Sequence, residues 1–515
     1  MTRVAWMLVL GYFLLVLAAI NLLLPIPDIN DFNGLGLFCL LMERRGILNC
    51  VNFNWGFANP LANHLLTVVT NNLLFSQRIL SAVGSVGVVI FAERMMVLLF
   101  RVNGRRTRML FLLALISSPW MLEAMVSVHL DVIPIALTMA ALSLLPAARP
   151  SRYLLAGFVI TMGYWFRFHF LLYALLYIFI VYLYRRKEKG FSSAFWTAVG
   201  FLLSFSVSAV LSYLATGKIM SPNSSLQFSL NLPDFNWSMD YMLALENKGV
   251  TDIFTGVNLL LIFVRAVARI LASAPLSVLL FLFSLLFVSG FRKAWASSPS
   301  SVLIKTAKSM LITLQDPHLL VMCFVVFPFI FLVIVRGITV RLEACLFFIL
   351  FPVLASLFRH RSPQVISGLV AAIVVLSLAQ IPGSLQHYQR ETRGWNKIDR
   401  EIGSVIPQDI RKNSPELILN TIFDYQNKYN RYWGFNPVLI GGWPVLSRPL
   451  RDEFGILDIA RLHLDNSYKE FLYIILAKEP KYSLPQPNKE LLNLVKKVHH
   501  FDEITVLEVG SPSSK

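Results

Sequence analysis

The chain has 515 residues, 56% of them hydrophobic, with a mean hydropathy of +0.63. Soluble domains average about 45–50% apolar, so this composition excludes a soluble globular protein and indicates a polytopic membrane protein. The net charge of +17 does not indicate nucleic acid, because the basic residues cluster in short runs between apolar stretches. Such runs are the mark of cytoplasmic loops, which meet lipid headgroups.

Stretches suited to crossing about 30 Å of hydrocarbon are predicted near residues 4–24, 79–100, 109–125, 132–145, 153–165, 168–184, 194–214, 271–288, 319–335, 342–358 and 365–381. That makes about eleven spans. Those at 132–145 and 153–165 are short, which predicts extension into their flanks or a locally thinned bilayer. Arg101, Arg105, Arg106 and Arg108 follow the second span, and Arg149 and Arg152 the fourth. Arg185, Arg186, Lys187 and Lys189 follow the sixth, Arg292, Lys293, Lys305 and Lys308 the eighth, and Arg359 and Arg361 the tenth. Every second connector is basic. The alternation predicts a cytoplasmic N-terminus and, for an odd number of spans, an extracytoplasmic C-terminus.

Three segments then face outside. The loop after the first span holds amphipathic stretches expected to lie along the interface. The connection from Gly217 is polar as far as Asp252, then becomes helix-like, with Arg265 and Arg269 on one face. It carries the glycosylation acceptor patterns Asn223-Ser224-Ser225 and Asn236-Trp237-Ser238. The third segment is the polar tail. Strands are expected at 416–419, 471–476 and 504–509, and helices around 395–402 and 489–498. The expected organisation is a transmembrane domain over residues 1–385, with interfacial helices in its outer loops, and a small α/β domain over residues 386–515. Cys323 and Cys345 fall in spans as packing residues, whereas Cys39 and Cys50 share the outer side, where spacing leaves a disulfide open.

Chemistry-bearing residues cluster at the outer ends of early spans. Asp28 and Asp31 follow the first span in Pro25-Ile26-Pro27-Asp28-Ile29-Asn30-Asp31-Phe32. A carboxylate at that level costs several kcal/mol unless paired or hydrated. It reads either as a helix cap or as a general base. His129-Leu130-Asp131 opens the fourth span, and there too Asp131 is a cap or a site residue; Glu123 is a weaker acid nearby. Arg167 and His169 lie in the aromatic turn Gly163-Tyr164-Trp165-Phe166-Arg167-Phe168-His169-Phe170. Arg167 is either an interfacial anchor or a fork for a lipid phosphate, with Arg336 and Arg341 as weaker candidates for the same task. No glycine-rich phosphate loop or nucleotide fingerprint is present, which agrees with a donor other than a nucleotide sugar. No zinc-type ligand spacing occurs, and a divalent metal ion is left open.

The layout resembles the GT-C superfamily of polyprenyl-phosphate-dependent glycosyltransferases, in particular the bacterial branch of protein O-mannosyltransferases and the lipid A aminoarabinose transferase. The similarity rests on the acids after the first span, the interfacial stretch from Phe32, Trp55-Gly56-Phe57-Ala58-Asn59-Pro60-Leu61, Arg78-Ile79-Leu80-Ser81, Asp131, and Leu155-Ala156-Gly157 followed by Arg167. It covers roughly the first 185 residues and departs where Ile29-Asn30 separates acids that are adjacent in many relatives. The resemblance implies an inverting transfer from a polyprenyl-phosphate-linked sugar donor to a hydroxyl of a glycan, lipid or protein acceptor. The expected setting is the extracytoplasmic face of a bacterial inner membrane. Asp31 would be the base (with Asp28 as its rival), Asp131 an orienting acid, and Arg167 with Arg336 the phosphate holders. Two alternatives stand beside it: another lipid-linked glycan polymerase or ligase, or a lipid or solute transporter. The acids sit at span ends on one side and no internal repeat is visible, unlike the midplane sites and paired repeats of transporters.

Overall fold

The computed structural model describes residues 3–23, 46–52, 56–126, 131–167, 169–217, 316–336, 340–358, 400–413, 418–420, 472–477, 494–502 and 504–510, with shorter pieces between them. The first helix, α1 (Arg3–Leu23), shows one face to the bundle: Val9, Phe13, Leu17 and Ile20, spaced four, four and three apart, are buried, while Leu10, Leu14 and Leu15 point away. That stripe is the helical period expressed in an all-apolar helix. A 3-10 turn at Ile47–Asn52 leads toward α2 (Ala58–Thr70), whose last turn is closed by Asn71 in the left-handed region at φ 54°.

The second span, α3 (Leu73–Arg94), starts six residues before its predicted apolar run. The side chain of Asn72 caps it by accepting the Phe75 amide at 2.9 Å. A π-helical turn, Met95–Leu99, carries it on to Phe100. The span expected at 109–125 is two helices, α4 (Arg105–Ile116) and α5 (Pro119–Val126). Pro119 cannot continue a helix from before it, and Ser117 and Ser118 turn their hydroxyls back onto the carbonyls of Leu113 and Leu115.

Next come α6 (Val132–Ser143), α7 (Pro150–Phe166), α8 (Phe170–Arg185) and α9 (Gly190–Thr216). The short run at 153–165 grows into both flanks, as expected. The run at 132–145 does not, and twelve helical residues span only about 18 Å. Two further helices, α10 (Pro317–Arg336) and α11 (Val340–Leu357), complete the described bundle, with helical turns at 364–375 after them. One apolar core joins α1, α3 to α8, α10 and α11. The predicted span at 271–288, together with Arg265 and Arg269, lies outside the described residues.

Glycines set two of the crossings. An added Cβ at Gly84 would stand 2.9 Å from the Ile133 amide, and one at Gly87 3.0 Å from Ala136, so α3 and α6 approach closely there. Between α7 and α9 the fit is reciprocal: Gly157 faces the backbone of Thr197, and Gly200 faces that of Leu154. Small residues are what let helix backbones meet in a membrane. Gly157→Val should therefore lower stability by about 1–3 kcal/mol through overpacking. Gly11→Val, where a Cβ meets nothing within 4 Å, should leave it unchanged. Thermal unfolding of the two variants in detergent reads the difference.

In the tail, β1 (Ile418–Asn420), β2 (Tyr473–Ala477), β3 (Val495–His500) and β4 (Ile504–Val509) form one sheet in the order β1-β2-β4-β3, parallel only between β1 and β2. Helical residues 400–405 and the bend after them bring Ile402 and Ile406 onto Ile418, Ile475, Ile504 and Val506, and α12 (Gln408–Asn413) follows. Three predicted strands are present. The helix expected at 489–498 is overturned over its second half, which is strand β3. The pairing jumps between Val495 and Lys497, so a β-bulge lets Val495 and Val498 share one face of the strand at a three-residue spacing that imitates a helix.

Cys39 and Cys50 are both free and buried, so no disulfide joins them. Burial, reinforced by Glu43, holds the Cys39 thiol well above its ordinary range, and burial pushes Cys50 up to about 12. Both thiols stay protonated at neutral pH and lack thiolate character. Alkylation followed by peptide mapping should label them only after the protein is unfolded.

Candidate functional site

Alternating helix direction gives the bundle two unlike ends. At one, Arg101, Arg105, Arg149 and Arg185 gather where α3, α6 and α8 finish. Arg185 fastens the α6–α7 turn there: its Nε donates to Tyr153 Oη at 2.6 Å, its Nη2 to the Ala147 carbonyl and its Nη1 to Glu188 at 2.6 Å. At the other end, α6 and α8 begin and α7 finishes, and there the structure joins two residues that the sequence placed 36 positions apart.

Asp131 occupies the N-cap position of α6, yet its carboxylate makes no capping bond. Instead Arg167 donates its Nε–H to Asp131 Oδ1 at 2.7 Å, with the side chains 3% and 4% exposed. Both bland readings fall together: the acid is not a simple cap, and the arginine does not snorkel to the headgroups. His169 Nε2 stands 3.9 Å from the same carboxylate oxygen, its ring against Phe170, which stacks on Tyr173. Tyr173 Oη in turn accepts from Cys345 of α11 at 3.6 Å.

Local structure fixes the arginine. Arg167 ends α7 in an extended conformation, its amide bonded to the Gly163 carbonyl at 2.9 Å. The preceding Trp165 is pinned by donating to the Ser204 carbonyl at 3.2 Å and by Phe57 at 5.5 Å. Gly56 makes this approach practicable. Its φ is +136°, and its α-carbon lies against the carbonyls of Trp165 and Phe166, so neither a side chain nor ordinary backbone would fit. The loop motif around Gly56 and the turn carrying Arg167 are thus one structure.

Of the other predicted site residues, Asp28 and Asp31 lie outside the described residues, as does His129; Glu123 is described only as part of α5. Arg336 closes α10. That helix starts beside Ser356 at the basic end, so Arg336 finishes at the Asp131 end. Arg341 lies in the first turn of α11. Among the described residues, no three His, Cys, Asp or Glu side chains converge as a metal site.

Sequence reasoning gave no role to Arg78, whose guanidinium is fully buried at the head of α3 with Nη1 3.5 Å from the Ile20 carbonyl of α1. Its signal was a cation inside an apolar run, a placement that membranes penalise. Asn59 was quoted only as part of a motif, with no role of its own, and Asn63 was passed over. Both are buried in α2, where Asn63 Nδ2 donates to the Asn59 carbonyl at 2.8 Å and to Asn59 Oδ1 at 3.0 Å. Asn59 Nδ2 and Asn63 Oδ1 find no hydrogen-bond partner among the described residues. Each group left in that condition costs about 1–3 kcal/mol.

One acid–base group at the basic end looks catalytic and reads otherwise. His318 Nδ1 is 2.7 Å from Asp316 Oδ1, and its Nε2 is 2.7 Å from Ser356 Oγ. Ser356, however, is buried inside α11 and directs its hydroxyl to the Val353 carbonyl at 2.6 Å, while Asp316 caps α10 through the His318 amide. The group stitches α10 to α11.

No protein-family model matches this sequence, and no curated protein matches it. Among solved structures, ArnT from Cupriavidus metallidurans, crystallised bound to undecaprenyl phosphate, aligns over 100% of this chain and 99% of its own, with a TM-score of 0.59 and 13% identity. The chain has the fold of that ArnT structure. Alignment over both full lengths extends the likeness beyond the first 185 residues, where the sequence motifs end. In this fold the Asp131–Arg167 pair lies at the end of the bundle opposite the basic loops.

Proposed function

We propose that the protein is an integral-membrane, inverting glycosyltransferase that moves a sugar from a polyprenyl phosphate to an acceptor hydroxyl on the extracytoplasmic face of a bacterial inner membrane. The observation that carries this reading is the buried Asp131–Arg167 ion pair, with His169 beside it, on a GT-C scaffold. Burying such a pair in a membrane protein is costly, which favours a functional reason for it. The ArnT structure, whose bound ligand is undecaprenyl phosphate, supports a lipid phosphate as the carrier.

In this mechanism the acceptor oxygen attacks the anomeric carbon opposite the phosphate. The sugar–phosphate C–O bond breaks, the acceptor proton passes to Asp31, and the polyprenyl phosphate leaves with the bonding electrons. Asp131 acts at one remove by holding Arg167 through Nε. A guanidinium has donors on two edges, so this hold is compatible with an Nη edge turned to the phosphate, where charge develops. Arg336 is the second phosphate cation. The tail domain, residues 386–515, would face the same side and receive the acceptor.

The test is turnover by purified protein in lipid bilayers supplied with polyprenyl-phosphate sugars and the lipids and glycans of the native envelope. The expected result is free polyprenyl phosphate and an acceptor bearing the sugar with inverted anomeric configuration. Donor carried across the bilayer unchanged would favour transport and overturn the reading.

A further inference from the structure

The two unsatisfied amide ends on α2 are a matched pair. Asn63 spends its Nδ2 on the Asn59 carbonyl and on Asn59 Oδ1, so both amide planes are held. What is left is a donor, Asn59 Nδ2, next to an acceptor, Asn63 Oδ1, each without a partner among the described residues and in side chains that are 2% and 0% exposed. Native proteins leave few such groups, and each needs a cause. Three more occur on α3, which packs against α2: Gln77 Oε1, Ser81 Oγ and Ser85 Oγ, one helical turn apart on one face.

The position is informative. Asn59 follows by three residues Gly56, whose α-carbon lies on the Trp165–Phe166 backbone just before Arg167. The first turn of α2 is therefore anchored to the segment that carries the phosphate-binding candidate. Chemistry narrows the ligand. A phosphate offers acceptors only and has no use for the Asn63 carbonyl, and an isoprenoid chain offers neither group. A hydroxyl is one donor with two acceptor lone pairs, which complements an amide N–H beside an amide carbonyl. We propose that Asn59 and Asn63 form a subsite for a ring hydroxyl of the donor's sugar, a proposal that rests on the glycosyl-transfer reading above.

The assignment makes a paired demand that a packing role does not. Removing both amides together should stabilise the unliganded protein while weakening its hold on the sugar, because buried polar groups kept for a ligand oppose stability until it arrives. The experiment uses the full chain in nanodiscs with two sets of probes: bare polyprenyl phosphate, and polyprenyl phosphate carrying a hexose or a pentose. Wild type should bind at least one sugar-bearing lipid more tightly than the bare one. Replacing both amides, Asn59→Leu with Asn63→Leu, should raise the unliganded Tm and lower affinity for that sugar-bearing lipid about tenfold. The double variant's affinity for the bare lipid should change less than twofold. Asn59→Ala, which removes the outward donor, should show the same selective loss and provides a second variant should the double variant fail to fold. Equal loss for both lipids, no loss for either, or no preference for sugar in the wild type overturns the subsite; a buried water alone between the amides would give the second of these. If the preference and its selective loss are present but no turnover is seen, the transferase reading fails and the subsite stands.

Discussion

Arg167→Ala should cost about 3–5 kcal/mol of stability, because it strands the Asp131 carboxylate inside the protein without its partner. Most of that loss belongs to the uncompensated charge and not to the worth of the pair. Replacing both partners together with neutral groups of similar shape, Asp131→Asn with Arg167→Met, should therefore recover most of the stability, as neutral substitutes for a buried pair commonly do. Activity should not follow. If Arg167 meets the leaving phosphate, the double variant folds well and still transfers sugar at least about a hundredfold more slowly, the scale of loss for one preorganised group facing developing charge. Tm and initial rate measured on wild type, Asp131→Asn, Arg167→Met and the double variant form a complete cycle. A double variant restored in both stability and rate would make the pair an internal strut and remove Arg167 from the reaction. His169 enters the same cycle, since its ring stands 3.9 Å from the shared carboxylate.

Why the pair could be named but not joined is a matter of range. Asp131 and Arg167 each stand out locally, as an acid at the head of an apolar run and a cation in an aromatic turn, and each signal is complete within a few residues. Their contact depends on α6, α7 and α8 alternating in direction, so that one start and one finish meet 36 residues apart. The glycine in Leu155-Ala156-Gly157 was legible as a motif, but its use was not: it lies against Thr197 on a helix one hairpin away. The apolar runs gave most described helices directly, because a membrane demands continuous helix wherever the backbone crosses lipid. They failed at Pro119, where hydropathy is blind to a missing amide proton, and at Val495–Val498, where a bulge made a strand look helical. Asn63, and the role of Asn59 inside its motif, escaped because asparagine is ordinary in an interfacial helix, and only burial makes it costly.

The acids that carry the proposed chemistry can be set against each other in one assay. Asp31→Asn keeps the shape and hydrogen-bonding reach of the side chain and removes its capacity to take a proton. The expected result is a fall in initial rate of about 10²–10⁴-fold, the contribution usual for a positioned general base, with donor affinity nearly unchanged because the base acts on the acceptor. The acidic limb of the pH–rate profile should vanish with it: in the wild type the rate declines as pH falls and the carboxylate protonates, and an amide has nothing to titrate there. Asp28→Asn should cost far less, since Asp31 stands next to Phe32 and the interfacial stretch that begins there. Should the large loss and the missing limb fall on Asp28 instead, the two residues between the acids have shifted the register and Asp28 is the base. Should both variants keep full rate and an unaltered profile, the proton goes elsewhere, and the loop after the first span returns to being a connector.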